Sequence, residues 1–133
     1  MWPFGEENLY ECMAETYVPL LNAISELYED EGIKAKLTVG ITPILAEQLN
    51  DEHLQEGFIK YLDARIKAIS GDLERYPDPE VAHSQHLKYL AKYYFDWFNN
   101  IKNSFVNKYN MDLISAFKNS FSVLLYKSMH FWS

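Results

Sequence analysis

The sequence has 133 residues, a formal net charge of −7 and a hydrophobic content of 48%, which suits one globular domain with a buried core. No apolar run approaches the ~20 residues that a membrane span needs, so no membrane partner is expected. The charge is −10 over residues 1–56 and +3 over residues 57–133, and so acidic a front half would repel the phosphates of a nucleic acid.

Two helices separated by a proline come first along the chain. A helix is predicted to begin near Asn8, and Pro19 predicts a kink or a pair of abutting helices near Tyr17–Val18. Apolar residues then recur at helical spacing from Leu20 to Tyr28, and Gly32 is typical of a left-handed cap.

The next stretch predicts a strand followed by a helix. Leu37–Ile41 is a short apolar run with a bias to β-branched residues, as in a buried strand of a parallel sheet. Thr42 and Pro43 resemble a helix N-cap followed by proline at the first helical position. Residues 37–49 therefore predict a βα unit, and the chain is predicted to be an α/β protein that is predominantly helical.

The remaining elements are predicted as helices. One helix is expected from residue 50 or 51 to Gly71, and residues 76–79 form a proline-rich break. A long helix with a period near 3.5 covers residues 87–105, and a short one covers 112–118. The tail, residues 119–133, matches neither a helix nor a strand period.

Cysteine and histidine usage predicts no metal and no cofactor. His83 and His86 would share a helix face, but two histidines without a placed third ligand do not make a zinc site, so a helix-surface role is favoured. Cys12 is the single cysteine, and no secretory leader is visible, which together predict a reduced, cytoplasmic protein.

Carboxylates line one face of the first helix, where Glu7, Glu11 and Glu15 follow one another at intervals of four. Neighbours on one helix cannot lie on opposite sides of a substrate, so no acid/base role is assigned to them. Like charges at this spacing slightly disfavour the helix and favour a solvated stripe or one that meets a partner.

The long helix carries more aromatic residues than one face can bury. Either the helix packs on two sides, or it has a surface normally covered by something that this chain lacks. The run comprises Tyr89, Tyr93, Tyr94, Phe95, Trp97, Phe98, Phe105 and Tyr109.

Several blocks of the sequence, in order and with little gapping over residues 2–118, together resemble glycoside hydrolase family 57, and most closely its 1,4-α-glucan branching enzyme group. The blocks are Trp2–Glu7, Tyr10–Glu11, Glu15–Tyr17, Pro19–Leu21, Ile41–Leu49, Glu56–Phe58 with Tyr61, and Asp112–Lys118.

The resemblance implies part of a distorted (β/α)7 barrel that acts on α-1,4-glucans with retention, through a glutamate nucleophile and an aspartate acid/base. Leu37–Ile41 would be the second barrel strand. Trp2 matches a tryptophan near the substrate groove, so it is the predicted substrate-binding residue, whereas Asn8 stands where the family often has another tryptophan.

The family's His-x-His-x-Pro strand would precede Trp2, and its Gly-x-x-Glu strand would follow Lys118. Both catalytic carboxylates would lie further downstream, so no catalytic residue is assigned. The sequence is thus interpreted as a partial catalytic-barrel segment at residues 1–118 and an unrelated tail at 119–133, inactive alone. The competing hypothesis is a non-enzymatic helical interaction module on an inherited scaffold.

Two partners follow from this interpretation. An α-glucan is expected to bind weakly or not at all, through stacking on Trp2. The strand Leu37–Ile41 would have unpaired edges, which predicts self-association unless Ser122–Tyr126 pairs with it.

Overall fold

The computed structural model describes residues 5–75, 82–109 and 113–120, and helices form most of this part of the chain. Two π-helical segments, Met13–Tyr17 and Ser104–Lys108, extend the first and fifth helices in place of a break. The helices are α1 (Gly5–Cys12), α2 (Val18–Glu31), α3 (Pro43–Asn50), α4 (Glu52–Arg75), α5 (Ala82–Asn103) and α6 (Leu113–Ser120).

The predicted interruption before Pro19 takes the form of a π-helical turn. The N–H of Val18 bonds to the carbonyl of Met13, five residues back, so the chain runs from α1 to α2 without leaving a helical path. Proline lacks an N–H and its ring crowds the carbonyl four residues earlier, and a widened turn accommodates both effects. Gly32 ends α2 at a φ of 65°, as the sequence predicts.

The predicted strand Leu37–Ile41 is wrong, and with it the α/β class, the βα unit and the partial (β/α)7 barrel. Residues 32–42 have no regular secondary structure, and the described parts of the chain contain no strand at all. A strand needs a neighbour to pair its backbone groups, and the surrounding helices offer none. Val39 and Ile41 instead pack against the helical core, while Leu37 is 43% exposed.

The helical half of that unit forms as predicted. Helix α3 begins at Pro43, and the hydroxyl of Thr42 accepts a hydrogen bond from the N–H of Leu45 at 3.3 Å. Helix α4, by contrast, continues past Gly71 to Arg75, because a glycine inside a long helix costs only about 1 kcal/mol.

The core is formed by α1, α2, α3 and α6 together with the adjacent halves of α4 and α5. Phe58 of α4 and Phe105 are fully buried, with their rings edge to face at 4.9 Å. Burying each such side chain stabilises the fold by about 1.5–3 kcal/mol. The buried apolar residues are Leu9, Tyr10, Met13, Ala14, Val18, Leu21, Ile24, Leu49, Phe58, Leu62, Ile101, Phe105, Leu113, Ile114 and Phe117.

A buried polar network ties α2 to the second π-helical segment. The Asn22 amide donates to the Ser104 hydroxyl at 2.9 Å, and the Tyr109 hydroxyl donates to Asn22 Oδ1 at 2.8 Å. Because each group has its partner, the buried amide is satisfied. Burial raises the pKa of Tyr109 to about 12, with smaller contributions from the charges of Glu26 and Glu29.

Helices α4 and α5 form an antiparallel hairpin that extends beyond the core. None of the described side chains is buried in α4 after Leu62 or in α5 before Ile101. The thirteen residues of α4 that follow Leu62 correspond to an arm roughly 20 Å long, at the helical rise of ~1.5 Å per residue.

Candidate functional surface

Several residues singled out in the sequence fall outside the described parts of the chain. Trp2, the predicted substrate-binding residue, is among them, as are residues 121–133 and therefore Ser122–Tyr126. The side chain of His83 is likewise not described, whereas His86 is exposed on α5. Within the described ranges, no three His, Cys, Asp or Glu side chains cluster closely enough to hold a metal ion.

The carboxylate stripe lies on the outside of the helical path from α1 into the first π-helical segment. Glu7, Glu11 and Glu15 are all exposed, and the guanidinium of Arg65 lies 3.8 Å from Glu11 Oε1. Arg65 also covers the ring of Tyr61, at 5.0 Å from its centroid. An ion pair this exposed contributes about 0–1 kcal/mol, so the stripe is a solvated face with one tether to α4.

Helix α5 has two apolar faces rather than one. One face meets α4 and the core, and it carries Phe98 and the buried Ile101. The other face is a row of aromatic residues, Tyr89, Tyr93 and Trp97, and we call these three residues the aromatic ridge.

The aromatic ridge is largely uncovered. Tyr89 is 66% exposed and Tyr93 is 49% exposed, while Trp97 is partly buried against the core. Of the two interpretations of the aromatic run, packing on two sides therefore fails for this face, and a surface normally covered by something that this chain lacks remains.

Two of the three ridge residues, Tyr93 and Trp97, are supported by ring contacts. The planes of Tyr93 and Trp97 are within 21° of parallel, with their centroids 6.3 Å apart. Tyr94 meets Tyr93 edge on at 5.4 Å and in turn contacts Phe98 at 6.4 Å. Since Phe98 and Trp97 both pack against the core, the ring of Tyr93 is supported from two sides.

Sequence reasoning did not separate the ridge from the buried face of α5, although the spacing contains the signal. Tyr89, Tyr93 and Trp97 stand four residues apart, and the core-facing series from Leu87 to Ile101 is offset from them around the helix.

Among the described residues, no helix is both long enough and apolar enough to cross a membrane. No protein-family model matches the sequence. Similarity to individual proteins is nevertheless clear, both in sequence and in structure.

Two relatives illustrate the sequence similarity. A 1,4-α-glucan branching enzyme from Thermococcus kodakarensis is 42% identical over 96 residues, which are 72% of this chain and 14% of that enzyme. A probable 1,4-α-glucan branching enzyme from Mycobacterium tuberculosis is 39% identical over 61 residues, which are 46% of this chain and 11% of that protein. The chain thus matches about one seventh or less of the length of these relatives.

Two solved structures extend the similarity to nearly the whole chain. The family 57 branching enzyme of Pyrococcus horikoshii superposes with a TM-score of 0.76 at 34% identity, over 90% of this chain and 21% of that one. The Thermococcus kodakaraensis branching enzyme, solved with glucose, superposes with a TM-score of 0.72 at 29% identity, over 92% of this chain and 21% of that one.

Proposed function

Because the chain is a homologue of the glycoside hydrolase family 57 1,4-α-glucan branching enzymes, we propose that it is the amino-terminal part of such an enzyme and inactive by itself. The observation that carries the proposal is the 42% identity over 96 residues, joined to a superposition over 90% of the chain. The substrate class that this implies is an α-1,4-glucan, and the reaction is transfer with retention.

The acidic residues of the described helices support the second half of the proposal. Retaining chemistry on a glycosidic bond needs two carboxyl groups about 5–5.5 Å apart, on opposite sides of the bond. Glu7, Glu11 and Glu15 succeed one another along a single helical path and are exposed. These three glutamates therefore do not form such a pair, and in our proposal the reacting carboxylates come from elsewhere in the enzyme.

A non-enzymatic helical interaction module is the second candidate, and one observation favours it. Among the described residues, every buried side-chain nitrogen or oxygen has a hydrogen-bond partner, and the core is continuous. Such a unit is equipped to fold without further chain, as an adaptor would need to.

A chimera separates these candidates. The chain replaces the matching segment of the Thermococcus kodakarensis enzyme, and branching is followed by the loss of iodine staining of amylose. We expect the isolated chain to leave amylose unchanged and the chimera to branch it. A chimera carrying Phe58→Asp, which destroys the core, is the control and should be inactive.

Turnover by the isolated chain, free of host enzyme, would contradict the proposed inactivity. A chimera that folds, by circular dichroism and size, yet never branches amylose would favour the interaction module instead. For the assignment to stand, the chimera with the unchanged chain must branch amylose and the chimera with Phe58→Asp must not.

A further inference from the structure

We draw no further inference here: the strongest candidate, the exposed aromatic ridge on α5, carries nothing, since nothing in the structure shows what covers this helix face.

Discussion

At the scale of single residues, Gly57 of α4 lies directly against Tyr10 of α1. A Cβ added at position 57 would collide with the Tyr10 hydroxyl, and Tyr10 is only 6% exposed between Phe58 and Tyr61. The ring therefore cannot move aside cheaply. The absence of a side chain at Gly57 is what lets the two helices approach each other.

We predict that Gly57→Ala destabilises the fold by about 1–2 kcal/mol, since overpacking outweighs the gain in helix propensity. Gly71→Ala, in the same helix but with nothing within 4 Å of its Cβ, should instead stabilise by up to about 1 kcal/mol. Urea unfolding measures both. Equal effects at the two positions would contradict this account, and Gly57→Ala/Tyr10→Phe should recover part of the loss.

At the scale of elements, the Asn22–Ser104–Tyr109 network joins α2 to the π-helical segment that follows α5. Burial raises the pKa of Tyr109 from its ordinary 10.0 to about 12, because the phenolate would be poorly solvated, and the charges of Glu26 and Glu29 raise it further. The stabilisation that this hydroxyl provides is complete below pH 10 and is lost as the pH rises towards 12.

We predict that the free energy of unfolding falls between pH 10 and pH 12, and that Tyr109→Phe makes this fall shallower. The same variant should be less stable by about 1 kcal/mol at pH 8, since the oxygen of Asn22 loses a donor. Tyr10, Tyr17 and Tyr61 also have raised pKa values through burial, so part of the fall should remain. An identical pH profile in Tyr109→Phe would refute the role of this hydroxyl.

At the scale of the whole molecule, self-association stays a prediction, but the strand edge first invoked for it does not exist in the described chain. Exposed apolar side chains from the end of α2 to the start of α3 supply another reason. They are Leu27, Tyr28, Ile33, Leu37 and Ile44, and Ile44 is 73% exposed.

We predict concentration-dependent association of the chain in sedimentation experiments, reduced by Ile44→Ser and unchanged by Tyr89→Ala/Tyr93→Ala. The two variants distinguish this apolar region from the aromatic ridge. A sharp monomer at all concentrations would contradict the prediction and add weight to the interaction module.

Helix ends could be predicted from the sequence where a few neighbouring residues determine them. The start of α3 at Thr42–Pro43 and the end of α2 at Gly32 depend on a hydroxyl cap, a fixed φ and a left-handed turn, all within a few residues. The family resemblance could also be recognised from the sequence, since it rests on the residues themselves.

What depends on distant partners was decided only by the tertiary structure. Leu37–Ile41 has a strand's composition, yet a strand exists only if a second one pairs with it, and here Val39 and Ile41 lie against helices instead. Likewise, the aromatic content of α5 was evident, but which rings α4 and the core would cover was not. Helix caps are satisfied locally, whereas strand pairing and burial are satisfied by other parts of the chain.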